Sequence, residues 1–140
     1  MAHLDLVTLV VDDYDRAIGF FVNVLGFDLI EDSPSLTNDG RPKRWVVVRP
    51  VGGQTGILLA RADGGDQERA VGNQTGGRVF LFLYNDDLLS DYERYRAEGV
   101  QFVRDPKTET YGTVAVFADL YGNLWDLVQP ADSQDGEALA

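Results

Sequence analysis

One order of predicted elements occurs twice along the 140-residue chain. Each half begins with a short apolar strand, continues with a helix and ends with three more strands. Asp13-Tyr14 at the start of the first helix corresponds to Asp87-Leu88 at the start of the second. In the same way, Gly26-Phe27 after the first helix corresponds to Gly99-Val100. An internal repeat of this kind predicts two copies of one β-α-β-β-β unit.

The first module is expected over residues 4–61. The apolar run Leu6–Val11 is rich in β-branched residues and predicts a buried strand. Asp12 or Asp13 then caps a helix, which Gly19 is expected to weaken and which ends at Gly26. The remaining strands of this module are predicted at Phe27–Glu31, Lys43–Arg49 and Gly56–Ala60, with a loop over Ser33–Pro42.

The second module is expected over residues 78–130, after a polar, glycine-rich stretch at 62–77 that is a linker or a loop covering a site. Its helix is capped by Asp86 or Asp87. Its strands are predicted at Arg78–Tyr84, Val100–Arg104, Thr113–Ala118 and Leu124–Val128, with a proline-containing loop at Asp105–Gly112. The small, acidic tail 131–140 is expected to be disordered.

The last hairpin of the second module holds a carboxylate between apolar strands. Tyr111–Gln129 contains two apolar runs around a turn with Gly and Asn, which predicts a β-hairpin. In an alternating strand, Asp126 shares a face with Leu124 and Val128. Both faces of that strand are largely apolar, so Asp126 needs a polar partner or a cavity.

Length and composition predict one domain over residues 1–130, large enough to bury a core. No apolar run approaches the ~20 residues that span a membrane. The N-terminus also lacks the basic and apolar regions of a signal peptide. We therefore expect a cytoplasmic protein with no membrane contact.

Charge and residue usage exclude several kinds of site. The formal net charge is −11, from 23 acidic and 12 basic residues. Nucleic-acid binding needs a basic surface because phosphate groups dominate the affinity, and the basic residues are scattered. Cysteine is absent and His3 is the one histidine. Disulfides, thiolate chemistry and any site needing two histidines from one chain are therefore excluded.

Three motifs place this repeat beside a known family. They are DYDRAIGFF at 13–21, VLGF at 24–27 and YGNLWDL at 121–127. With the paired modules, they resemble the vicinal oxygen chelate superfamily over roughly residues 4–130. That superfamily includes glyoxalase I, extradiol dioxygenases, fosfomycin-resistance enzymes and bleomycin-binding proteins. The resemblance implies an α+β fold in which two tandem βαβββ modules form curved mixed sheets around a concave cavity.

In the metal-dependent members, each module supplies His or Glu ligands from its first and last strands. The matching positions here are Leu6, Leu58, Phe80 and Asp126. Only Asp126 carries a donor atom, and a single carboxylate binds a divalent ion weakly. We therefore expect no cofactor and disfavour a tightly bound metal. His3 would face the other side of its strand from Leu6 and is expected at the surface.

The positions that would face the cavity suit a flat organic ligand. The candidate lining residues are Leu6, Thr8, Trp45, Val47, Leu58, Phe80, Phe82, Tyr84 and Asp126. The alternative is that these side chains simply fill the core. Arg41, Arg44 and Arg78 could pair with Asp126 or meet an anionic ligand, and sequence spacing selects none of them.

Two functions remain open. One is metal-free binding of a small aromatic or amphipathic molecule, as in the drug-sequestering members. The other is an enzyme of the lyase, isomerase or dioxygenase-like kind, which uses Asp126 as general base or as part of an unrecognised metal site. The resemblance also implies a homodimer, because two-module members commonly build each cavity from both chains.

Overall fold

A computed structural model describes residues 1–131 and confirms the predicted α+β architecture of two βαβββ modules. The chain divides into two compact units, Met1–Gln74 and a second that begins at Thr75. Each unit contains one four-stranded mixed sheet. The acidic tail lies outside the described residues except for Ala131.

The first unit forms a sheet in the order β1-β4-β3-β2. Strand β1 is parallel to β4, and the other neighbours are antiparallel. Helix α1 is short and continues as a π-helical segment at Gly19–Val24. The other elements of this unit are β1 (Leu6–Val11), α1 (Tyr14–Ile18), β2 (Asp28–Leu36), β3 (Pro42–Arg49), β4 (Gly56–Arg61) and α2 (Gly65–Ala70).

The register of this sheet separates two faces. Leu9 lies opposite Leu59, and both are fully buried on the side where α1 packs against β3 and β4. Thr8 lies opposite Leu58, and Leu58 opposite Val47, on the other side. We call the side away from the main helix of each unit its far face.

The second unit repeats this arrangement in the order β5-β8-β7-β6, with β5 parallel to β8. Helix α3 packs on β6, β7 and β8. Its elements are β5 (Val79–Tyr84), α3 (Leu88–Ala97), β6 (Gln101–Glu109), β7 (Gly112–Ala118) and β8 (Leu124–Pro130).

Aspartates cap both main helices, as predicted. The Asp13 carboxylate accepts a hydrogen bond from the Arg16 backbone N–H at 2.8 Å. The Asp87 carboxylate accepts one from the Ser90 backbone N–H at 3.2 Å. Each satisfies an amide that the first helical turn leaves without a carbonyl partner. Gly99 follows α3 with a φ of 91°, a left-handed conformation that favours glycine.

An aromatic cluster forms the core of the second unit. The rings of Phe117 and Trp125 stack with centroids 5.7 Å apart, and Tyr95 meets Phe117 edge-on at 5.7 Å. The buried Asp119 side chain accepts hydrogen bonds from the backbone N–H of Asn123 at 3.0 Å and from Trp125 Nε1 at 3.0 Å. This carboxylate therefore fixes the β7–β8 turn and orients the core tryptophan together.

Three sequence predictions were wrong in extent. Strand β2 continues to Leu36, which pairs with Pro42, so most of the predicted loop Ser33–Pro42 is a long hairpin. Strand β6 continues to Glu109 through irregularities between Phe102 and Lys107. Both are edge strands, where proline and polar side chains are tolerated, so their sequences look like loops. The stretch 62–77 also contains helix α2.

The first helix also departs from a regular α-helix. The Leu25 N–H donates to the Phe20 carbonyl at 3.0 Å, five residues back, as in a π-helix. The change begins at Gly19, the residue expected to weaken the helix.

Within residues 1–131, no helix is long and apolar enough to cross a membrane.

Candidate functional site

The predicted lining residues of the first module come together on one face. Leu6, Thr8 and Leu58 lie on the far face of the first sheet, because β1 and β4 pair in register. Val47 lies opposite Leu58, and Trp45 shares its side two residues earlier on β3. Thr8 is exposed, whereas Val47 is buried among its neighbours.

A second group lies on the far face of the second sheet. Phe82 lies opposite Asp126 on the neighbouring strand β8, and Tyr84 lies opposite Val128. The exposed fractions of Phe82 and Tyr84 are 63% and 55%, which is high for large aromatic side chains, although β5 is an edge strand of its sheet. We call Phe82, Tyr84 and Asp126 the aromatic-acid patch.

Phe80 is placed differently from its predicted partners. The β5–β8 register shifts between Val79 and Leu81, which interrupts the alternation of sides at Phe80. Its ring meets the core residue Trp125 edge-on, with centroids 6.0 Å apart. Phe80 thus packs against the core tryptophan, while Phe82 extends the aromatic-acid patch.

Asp126 is half-buried beside apolar neighbours. Burial raises its pKa above the ordinary value, and the positive charge of Arg104 partly opposes that rise. No residue within 1–131 donates a hydrogen bond to its carboxylate. The charge is therefore less stable here than in water, and a bound hydrogen-bond donor would improve its environment.

Arg104 was not among the predicted partners of Asp126. It reaches the same side through a row of paired residues across the second sheet: Arg104, Val116, Asp126 and Phe82. A valine separates the two charges, and their interaction acts through space. The β6 irregularity sets this register, and the sequence gives no direct signal of it.

The arginines of the first unit are paired elsewhere. Arg44 donates to the Asp32 carboxylate at 3.0 and 2.7 Å, which lowers the pKa of Asp32. Arg41 donates to the Asp63 carboxylate at 3.1 and 2.7 Å. Arg78, the third candidate, belongs to the second unit and is exposed.

A cleft of about 510 Å³ opens at the end of the first sheet. The β2–β3 turn at 37–41 and the segment 62–67 form its walls beyond the strand ends. Trp45 and Leu58 of the predicted lining border it, together with basic side chains. A volume of this size is typical of small-molecule sites.

Few potential metal ligands lie close together among the described residues. Among residues 1–131, no three His, Cys, Asp or Glu side chains lie close enough to share a metal ion. Leu6, Leu58 and Phe80 offer no donor atom at the positions used by metal-dependent relatives. His3 is largely exposed and lies 3.6 Å from Asp5, as expected for a surface residue.

Known proteins are similar to this chain over nearly their full length. An uncharacterised protein of Shewanella frigidimarina (strain NCIMB 400) is 57% identical over 129 residues, covering 91% of this chain and 93% of that protein. TnmS3, an antibiotic binding protein from Streptomyces sp. CB03234, is 31% identical with a TM-score of 0.73, covering 94% of this chain and 98% of TnmS3. UcmS2 is 28% identical with a TM-score of 0.75, and the match covers 91% of this chain and 98% of UcmS2.

The family model described as Glyoxalase/Bleomycin resistance protein/Dioxygenase superfamily matches residues 3–127. That match includes all five described β-α-β-β-β elements of the first module and nearly all of the second. It also contains each of the three motifs that suggested the resemblance. The chain belongs to the glyoxalase/bleomycin resistance protein/dioxygenase superfamily.

Proposed function

We propose that this protein binds a small aromatic or amphipathic molecule at the aromatic-acid patch, without a tightly held metal ion. The observation that carries the proposal is the exposure of Phe82 and Tyr84 beside the unpartnered, half-buried carboxylate of Asp126. Two exposed rings with one polar point between apolar residues match the usual composition of a ligand site.

The rings supply the apolar part of the binding energy. A Phe or Tyr side chain buries ~150–250 Å² when covered. Because each ring here is a little over half exposed, a ligand would remove ~100 Å² per ring from water, worth about 2 kcal/mol per ring. Neighbouring Val114, Val116 and Val128 make the floor apolar.

Asp126 supplies the polar selectivity. A ligand O–H or N–H group that donates to this carboxylate replaces the water lost by burial. An otherwise identical ligand without a donor leaves the carboxylate without that compensation. We therefore expect the site to prefer aromatic molecules that carry a donor.

The similarity to a known binding protein supports a small-molecule binding function. TnmS3, an antibiotic binding protein, shares the fold and 31% of its sequence with this chain. The lack of donor atoms at three of the four family metal positions supports binding without a metal. We also propose a homodimer, because a partner can cover the exposed sheet edges.

A matched pair of probes tests the proposal. By isothermal titration calorimetry, 2-naphthol, which carries an O–H donor, should bind more tightly than 2-methoxynaphthalene. Phe82→Ala should weaken both ligands, and Asp126→Asn should remove the difference between them. Leu89→Ala is the control, because Leu89 is similarly exposed at 59% but lies on α3. Equal effects of Phe82→Ala and Leu89→Ala would refute the site.

The raised pKa of Asp126 favours one second candidate, an enzyme in which this carboxylate acts as a general base. In that case a bound ligand with an acidic C–H would exchange its proton with solvent. Deuterium exchange into a bound ketone probe, followed by NMR, should then depend on Asp126. Exchange that is unchanged in Asp126→Asn would exclude this role.

A further inference from the structure

The cleft at the end of the first sheet differs in charge from the rest of the protein. Four basic side chains line it against two acidic ones, although the whole chain has a net charge of −11. The basic residues are Arg41, Lys43, Arg44 and Arg61, and the acidic ones are Asp39 and Asp63. A concentration of positive charge in a concave region attracts anions.

Two of the four cations are already paired within the protein. Arg41 binds Asp63 through two guanidinium nitrogens and also contacts Asp39 at 3.1 Å. Arg44 binds Asp32 in the same two-pronged way and reaches Asp15 at 2.9 Å. Their N–H donors are largely satisfied, so these arginines shape the cleft more than they offer a binding group.

The other two cations are not held by a salt bridge, although the charge of Arg61 helps to lower the pKa of Asp63 through space. Within residues 1–131, neither Lys43 nor Arg61 forms a salt bridge or a hydrogen bond through its side chain. The Arg61 guanidinium lies over the Tyr14 ring, 5.3 Å from the centroid. Stacking of this kind holds the group in place but uses none of its five N–H donors.

Tyr14 organises this side of the cleft. The Arg44 guanidinium also lies over its buried ring, 5.1 Å from the centroid. Its hydroxyl oxygen accepts a hydrogen bond from the Arg44 backbone N–H at 3.2 Å. The ring that orients Arg61 is therefore itself fixed to β3, so the free donors of Arg61 are held in advance of any ligand.

Apolar surface adjoins these cations. Trp45 and Leu58 line the same cleft, and the Trp45 indole N–H has no acceptor within residues 1–131. An aromatic ring can pack there, while a planar guanidinium matches a carboxylate or phosphate group. We propose that this cleft binds a planar organic anion, with its charged group at Arg61 and Lys43 and its ring against Trp45 and Leu58.

Calorimetry with 2-naphthoate and 2-naphthamide, which differ in charge but share a ring, tests the charge requirement. The anion should bind at least tenfold more tightly than the amide, as expected for hydrogen bonds to a charged group. Arg61→Gln should weaken 2-naphthoate by about tenfold or more and leave 2-naphthamide unchanged. Lys43→Gln should weaken 2-naphthoate less, because a lysine cannot bind both oxygens in one plane.

Arg78→Gln is the matched control, since it removes one exposed arginine outside the cleft. It should leave 2-naphthoate affinity unchanged. Equal weakening by Arg61→Gln and Arg78→Gln would overturn the proposal, because net charge alone would explain binding. Equal affinity for the anion and the amide would also overturn it. Melting curves confirm that each variant is folded, which is expected because Arg61 is exposed.

The same titration separates this cleft from the aromatic-acid patch. Phe82→Ala should weaken 2-naphthol and leave 2-naphthoate unchanged, because Phe82 does not line the cleft. Loss of 2-naphthoate binding in Phe82→Ala would refute the cleft as the anion site. Titration with 2-naphthyl phosphate shows whether the cleft accepts a phosphate group as well as a carboxylate. Binding of either anion supports the proposal if Arg61→Gln weakens it.

Discussion

Replacement of Asp126 by Asn should leave the protein as stable as before or slightly more stable near neutral pH. The change keeps the side-chain shape and removes the charge. Burial raises the pKa of Asp126, Arg104 only partly opposes this, and no described residue donates a hydrogen bond to the carboxylate. The folded chain therefore holds the ionised group in a less favourable environment than the unfolded chain does.

Solvent limits the gain in stability that Asp126→Asn can produce. One pKa unit corresponds to ~1.4 kcal/mol of unfolding free energy. Asp126 is only half-buried, so water screens its charge and we expect a gain of about 1 kcal/mol or less. For a domain of this size, that is a rise of about 4 °C or less in the melting temperature.

The pH dependence gives the sign of the effect. A carboxyl group whose pKa is raised on folding stabilises the native state while it is protonated, and this contribution is lost as pH rises through the raised pKa. The melting temperature of Asp126→Asn minus that of the wild type should therefore be highest near pH 7. It should fall as pH drops through the raised pKa and level off below the ~3.9 of an unfolded Asp.

Scanning calorimetry from pH 3 to pH 8 makes this comparison, with Asp28→Asn as the control. Asp28 is exposed at the start of β2, so its replacement should change the melting temperature little at any pH. A loss of many degrees in Asp126→Asn at pH 7 would show that the carboxylate has a structural partner. Such a loss together with unchanged 2-naphthol affinity would end the idea that Asp126 is a site residue.

Three other measurements follow from the structure. Asp119→Ala removes the buried acceptor of Trp125 Nε1 and of the Asn123 backbone N–H, and should lower the unfolding free energy by about 3 kcal/mol in urea titrations; a change below ~1 kcal/mol would contradict that role. Gly112→Ala should destabilise strongly, because φ is 146° and a Cβ would lie 2.2 Å from the Gln129 carbonyl oxygen; an unchanged melting temperature would show that the backbone relaxes. Light scattering should give about twice the chain mass of 15.5 kDa, and a value near 15.5 kDa would contradict the homodimer.

The sequence predicted the elements whose chemistry is local. Strand β1 has the predicted bounds, and Asp13 and Asp87 cap the helices because a short acidic side chain reaches the nearby backbone amides. The repeat itself predicted the order of elements along the chain in both modules, and the order of strands within each sheet came from the structure. Strands β2 and β6 were predicted too short because their side chains are polar, and an edge strand has no need of apolar residues on both sides.

The candidate sites depended on long-range pairing and were predicted less well. The alternation of sides placed Phe82 with Asp126 correctly, because both strands are regular there. Arg104 was missed, since an irregularity in β6 decides which β7 residue it faces. The cleft around Arg61 was missed because a strand end, a hairpin turn and a segment predicted as a linker form it together.

The polar edge strands β2 and β6 also oppose open-ended stacking of strands between molecules, which is distinct from the proposed dimer. Each is the outermost strand of its sheet, and each carries a proline, Pro34 or Pro106, together with several charged side chains. A proline cannot donate to a strand added from another molecule, and charges without partners oppose such stacking. A chain with eight described strands can thus avoid edge-to-edge stacking. Replacing both prolines with valine would allow both edge strands to pair with strands of other molecules and so to start fibril growth.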